Sequence, residues 1–148
     1  MEIKLRQELL PQIKKSAELL SRYNPGLDPL TALSYAIKIW QCSDEVVTND
    51  LLTALIVIES GADHKAKSPQ GALGLTQIMP GHWPYDTHEL RDPYKNIEAG
   101  AAILRQYIQR HGLIGGLRAY NCGTSSNPPG DASMKYAKKI LQTAENHF

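Results

Sequence analysis

The chain has 148 residues and a mass of 16.4 kDa, enough for one domain with a modest core. Hydrophobic residues make up 42% and charged residues 21%, and sixteen basic against fifteen acidic side chains leave a net charge of +1. That balance lacks the basic excess of a nucleic-acid binder. The opening "MEIKLRQELL" is interrupted by charges, and no apolar run approaches the roughly 20 residues of a membrane span. The expectation is a soluble protein without membrane insertion, made in the cytoplasm without a signal peptide.

The pattern is helical almost throughout. Pro11 is expected at the first position of a helix carrying Ile13, Ala17 and Leu20. After the break "NPGLDP", Asp28 and Pro29 read as an N-cap and first residue, ahead of an apolar stripe of Leu30, Leu33, Ile37 and Trp40. Thr48 or Asn49 should cap the next helix, "LLTALIVIES", which is apolar nearly all round and so reads as a buried central helix ending near Gly61. Ser68 and Pro69 are expected to open a short helical segment through "GALGLTQI". "GHWPYDTHELRDP" reads as a long surface loop, with at most a small hairpin around Trp83 to Thr87. Asn96 is expected to cap a helix through Ile97, Ala101, Leu104 and Ile108 that stops at Gly112. A short helix, the loop "CGTSSNPPGD" and a last helix with Met134, Ala137, Leu141 and Ala144 complete the chain. The fold class expected is mainly α, a single helical domain with little or no sheet.

Glu59 is the anomaly, a carboxylate at the end of the most hydrophobic helix. A glutamate at a helix end is usually exposed; if it instead faces a cleft, desolvation and the negative end of the helix dipole would both raise its pKa. A carboxylic acid still protonated near neutral pH suits glycosidic bond cleavage, in which the leaving oxygen must receive a proton. Asp63, the nearest downstream carboxylate, reads as a solvated turn residue rather than a nucleophile. The five histidines show no metal-ligand spacing, and no glycine run suits a phosphate loop, so neither metal nor cofactor is expected. Cys42 and Cys122 form no CxxC cluster and read as free thiols.

The stretch that begins at Glu59 resembles the opening signature of the soluble lytic transglycosylase domain, a lysozyme-like relative of goose-type lysozyme. The matching residues are Glu59–Ser60, Lys67–Ser68–Pro69, Gly71–Ala72, Gly74–Leu75 and Gln77–Ile78–Met79–Pro80. "DPYKNIEAGAAILRQYI" resembles the family's next block, "AYNCG" its Ala-Tyr-Asn-Ala-Gly block, and Tyr136 stands where the family has a tyrosine on a late helix. Thr76 replaces the usual methionine and Cys122 the usual alanine. The resemblance implies a catalytic domain over residues 48–148; residues 1–47 lie outside it and are expected to form a helical extension packed on the same domain.

By the same matching, the resemblance implies a lytic transglycosylase that cleaves between N-acetylmuramic acid and N-acetylglucosamine in peptidoglycan. Glu59 would act as acid and then as base, leaving a 1,6-anhydro sugar. Ser68 and Gln77 would hydrogen-bond sugar groups, Met79 would pack under a ring, and Asn121 would hold the sugar or local backbone. Tyr120 would reach and orient the Glu59 carboxyl, and Tyr136 would line the groove beside it. A goose-type lysozyme acting with water, or an inactive wall-binding or virion module, are the alternatives. The partner the resemblance implies is the peptidoglycan glycan strand in the periplasm. Without a signal peptide, the routes there are phage release through a holin, carriage in a virion or a dedicated secretion system.

Overall fold

The computed structural model describes residues 2–123 and 130–148, and among them places six helices: α1 (Glu2–Tyr23), α2 (Pro29–Cys42), α3 (Asn49–Ser60), α4 (Thr87–Arg91), α5 (Pro93–Cys122) and α6 (Asp131–His147). Part of the expected loop after Gly123, residues 124–129, lies outside that description. No named strand occurs among the described residues; two isolated bridges, Lys67 to Leu73 and Leu73 to Ile78, are the whole of the β-structure.

The core is organised around α3 because that helix has no polar face to turn outward. Leu51, Leu52, Ala54, Leu55, Ile56 and Val57 are all buried, and each large aliphatic side chain so buried contributes about 1.5–3 kcal/mol. Helices α1, α2 and α6 pack directly on α3, and α5 joins the same core through Ile97, Leu104 and Leu117. Most polar groups that enter this core are paired, the Asn49 side-chain oxygen being an exception. The Ser16 and Thr53 hydroxyls lie 2.8 Å apart, the Asn49 amide donates to Ser16 and the Thr53 hydroxyl lies 2.7 Å from the Asn49 carbonyl.

The buried α3, the Asp28–Pro29 start of α2, the helix end at Gly61 and the breaks at Gly112 and Gly123 all match the sequence pattern. Gly61 adopts the left-handed conformation (φ 61°) and its N–H returns to the Val57 carbonyl. Gly112 (φ 77°, ψ 177°) bends α5 into two helices in series. The halves fold so closely that a Cβ on Gly116 would strike the Ile108 backbone.

Five expectations are corrected. Pro11 lies inside α1 rather than at its start. The stripe of Leu30, Leu33 and Ile37 faces solvent, Leu30 at 76% exposure, and α2 buries Ala32, Tyr35, Ala36 and Ile39 instead; small residues let the helix pack closely. Ser68 to Ile78 form turns and bridges rather than a helix. The supposed hairpin and loop around residues 83–91 contain α4, fixed by a capping box in which the Asp86 carboxylate accepts from the Glu89 N–H and the Glu89 carboxylate from the Asp86 N–H. Finally, Asp92 rather than Asn96 caps α5, with Pro93 as its first residue.

Candidate active site

Asn96, displaced from the cap, has become the hub of the irregular segment. Its side-chain amide donates to the Leu73 and Leu90 carbonyls, both at 2.9 Å. Its carbonyl oxygen accepts from the Thr76 N–H at 2.8 Å and lies 2.6 Å from the Thr76 hydroxyl. Two backbone acceptors on one side fix which end of the amide is nitrogen. The segment can approach this buried group because Gly74 (φ +80°) has no side chain; a Cβ there would collide with the Asn96 amide. Likewise Gly100 leaves room for the Thr76 side chain. The "GALGLT" stretch is therefore shaped by hydrogen bonds to α5 and by glycine conformation, neither of which periodicity reports.

This packing holds open a cleft of about 750 Å³ at the end of α3. Glu59 lines it, and of the expected site residues so do Ser68, Gln77, Met79, Tyr120 and Asn121. Glu59 is half-buried, since its helix emerges from the core only in its last turn. Ser60 anchors that turn, its hydroxyl donating to the Ile56 carbonyl at 3.0 Å. Burial pushes the Glu59 carboxyl up to about 7, with the Tyr136 hydroxyl pulling it the other way. Among the described residues Glu59 is the sole carboxylate lining the cleft. Asp63 is exposed and accepts from the Lys65 N–H within its own turn.

Two tyrosines differ from the expected roles. The Tyr120 hydroxyl donates to the Thr76 carbonyl at 2.7 Å rather than to Glu59. It sits close enough to the carboxylate that burial and that charge together push its own pKa up. Tyr136, on α6, does not line the cleft; its buried hydroxyl lies near enough to Glu59 to act on the carboxyl, but makes no hydrogen bond of normal geometry among the described residues. Tyr136 rather than Tyr120 is thus the tyrosine that lowers the pKa of the carboxyl. Burial and the Glu59 charge push its phenol far up, so it stays a proton donor.

Gln77 has the left-handed backbone (φ 54°), rare outside glycine. Its side-chain amide donates to the Ala66 and Gly74 carbonyls at 3.1 and 3.0 Å. Both N–H bonds are thus committed, which leaves the side-chain oxygen as the group available to a ligand. Ser68 accepts the Ala72 N–H at 2.9 Å, so its own hydrogen remains free to donate. The wall also includes Gln70, His82, Trp83, Ile103 and Tyr107, none of them expected as site residues from the sequence. A signal for Tyr107 existed: it lies four residues after Ile103, on the same face of α5. Trp83 lies in a stretch without period and carried none.

No cluster of three or more His, Cys, Asp or Glu able to hold a metal occurs among the described residues. Neither Cys42 nor Cys122 is in a disulfide, and Cys122 lies on the cleft wall. No described helix is long and apolar enough to cross a membrane.

The sequence model described as "Transglycosylase SLT domain" matches residues 35–142, most of the chain. The chain belongs to this family. It is similar to a protein named "Transglycosylase" from Enterobacteria phage PRD1, 32% identical over 94 residues that cover 62% of this chain and 36% of the phage protein. It is also similar to the endo-type membrane-bound lytic murein transglycosylase A of Klebsiella pneumoniae, 30% identical over 112 residues, covering 64% of this chain and 54% of the relative. The chain thus spans about a third to a half of the length of these relatives. A solved structure, an inactive mutant of lytic transglycosylase Slt from Pseudomonas aeruginosa, shares the fold with a TM-score of 0.63 at 24% identity, over 75% of this chain and 23% of that one.

Proposed function

We propose that this chain is a peptidoglycan lytic transglycosylase in which Glu59 acts alone as acid and then base. The observation that carries the reading is the single cleft carboxylate, poised at about 7 by burial. In the first step the protonated carboxyl gives its proton to the glycosidic oxygen as the bond to C1 of the muramic acid breaks. In the second, the muramic acid 6-hydroxyl bonds to that C1 and its proton passes to the Glu59 carboxylate. The ring closes as a 1,6-anhydro sugar, the carboxyl is regenerated and no water is consumed. One carboxylate suffices because the nucleophile is tethered to the substrate, where effective molarities reach about 10⁵ M or more.

Around that centre, Tyr136 holds the carboxyl, and Ser68 donates to sugar groups while the Gln77 oxygen accepts from them. Met79 and Asn121 supply the packing and polar edges of the wall. Tyr120 orders the wall through Thr76 instead of touching the acid. The first 47 residues act as a support for α3. Names given to the relatives, one from a phage and one for murein, favour action on the cell wall, and release through a holin or carriage in a virion accounts for access to it.

The test is digestion of purified peptidoglycan followed by mass spectrometry of the new muramic acid ends. Anhydro ends, lacking one water, are expected. Glu59→Gln should lower the rate by about 10²–10⁴-fold while remaining folded. Reducing ends would instead make the protein a hydrolase of the goose-lysozyme kind. No cleavage by folded parent protein would leave a wall-binding module.

A further inference from the structure

Three aromatic rings run along one wall of the cleft. Tyr120 lies beside the acid, tied to the Thr76 carbonyl. Tyr107 meets it edge-on, with centroids 6.5 Å apart and planes at 82°. Trp83 meets Tyr107 edge-on in turn, at 5.6 Å and 85°. Trp83 is half-buried against the small apolar cluster of Leu73, Ile78 and Leu90, and the rest of it lines the cleft. Its loop is held at both ends. Gly81 turns the chain at φ +86°, the Tyr85 N–H donates to the Trp83 carbonyl at 2.7 Å, and Asp86 caps α4 immediately after. An indole held in this way is pre-organised, so little side-chain entropy is lost when a ligand covers it.

We propose that Trp83, buttressed by Tyr107, is the platform on which one pyranose ring of the glycan stacks, at a position of the groove away from the scissile bond; this presupposes the peptidoglycan substrate. A pyranose has apolar C–H faces and polar edges. The wall matches both, with flat aromatic surface at Trp83 and amide or hydroxyl groups at Gln70, Gln77 and Ser68. The peptide stems fit less well, since no lysine or arginine lines the cleft among the described residues to meet their carboxylates. Trp83 is therefore a specificity-determining residue that favours longer glycans, and it acts on binding rather than on the bond-breaking step.

The test compares Trp83→Leu, which keeps apolar bulk against Leu73 but loses the π face, with Trp83→Phe, which keeps a smaller one. On glycan strands stripped of peptide, Trp83→Leu should raise KM about tenfold with kcat within a factor of about three, and Trp83→Phe should fall between it and the parent. A KM unchanged in folded Trp83→Leu, or a loss confined to kcat, overturns the platform. Binding is read separately in a Glu59→Gln, Trp40→Phe background, where Trp83 is the sole tryptophan. Its fluorescence should shift saturably with a peptide-free N-acetylglucosamine hexamer. Response only to peptide-bearing fragments would assign the surface to the stem and overturn the proposal. Glycan binding at Trp83 without any cleavage by the parent would sink the transglycosylase activity while upholding the platform.

Discussion

Helix α3 and the segment from residue 61 to 86 meet at Glu59, yet they are held by opposite means. The helix is fixed by hydrocarbon: the buried run from Leu51 to Val57 excludes water on every side, and the Ser60 hydroxyl adds one directed bond in the last turn. The segment buries fewer large aliphatic side chains, Leu73, Leu75 and Ile78, and is also fixed by directed bonds to one amide, Asn96, and by glycines where a side chain would collide. Apolar burial tolerates small shifts and costs little per lost ångström, whereas a buried hydrogen bond fails as a unit and leaves an orphan behind. The Glu59 carboxyl is therefore on the forgiving wall, and the cleft-lining groups of Ser68 and Gln77 are on the exacting one.

Cutting each wall in turn should separate them. Leu55→Ala, on the helix, should cost about 2–5 kcal/mol in urea unfolding while leaving KM near that of the parent at temperatures where the variant is folded. Asn96→Leu should cost a comparable amount, about 2–4 kcal/mol, because the Leu90 carbonyl and the Thr76 N–H lose their Asn96 partner and the Leu73 carbonyl keeps only the Ile78 N–H. Unlike the first variant it should also raise KM, since Gln77 and Ser68 lose their frame. Equal effects on KM from both would erase the distinction. Gly100→Ala presses on Thr76 from α5 and should behave as a weaker Asn96 variant, with a loss of about 1–3 kcal/mol by thermal melting.

The difference in legibility follows the same line. Apolar periodicity reports burial, so α3, the pattern of α5 and α6, and the odd position of Glu59 could all be read directly, as could helix ends marked by Gly61 and Asp28–Pro29. Directed bonds over long sequence separations leave no local trace. Asn96 resembles a cap because it precedes an apolar run, and only the fold reveals that Asp92 has already taken that role. "GALGLTQI" has helix-compatible composition, and only the 20-residue reach from Thr76 to Asn96 overrides it. Cleft residues carried by motif resemblance, such as Gln77 and Asn121, were legible as positions. What Tyr120 and Tyr136 touch was not, because a tyrosine's partner depends on which helix faces it.

Smaller effects should distinguish the acid from its surroundings. The Glu59 carboxyl is raised from 4.5 to about 7 in the folded protein, so the native state binds the extra proton more tightly. Stability is fully present below about 4.5 and is lost as pH rises through about 7. Glu59→Gln removes that loss, and its stability advantage over the parent should grow across this window to on the order of 2 kcal/mol. Activity that needs the protonated acid should decline as pH rises past about 7. Tyr136→Phe removes the nearby hydroxyl that lowers the carboxyl's pKa, so the declining limb should move to higher pH. A limb that stays in place would detach Tyr136 from the acid.

The turn just beyond Glu59 has one further support. Ala62, at φ 63° without being glycine, offers its carbonyl to the Asn24 side-chain amide at 3.1 Å, and Asn24 joins α1 to α2. Leu19 and Leu20 lie in the same core as Leu55. Both features fall before residue 35, where the family match begins. Modularity as drawn from sequence kinship and modularity as drawn from mechanical continuity therefore disagree here. A fragment cut at the kinship border would carry every cleft residue and still be missing the strut behind the Glu59 corner.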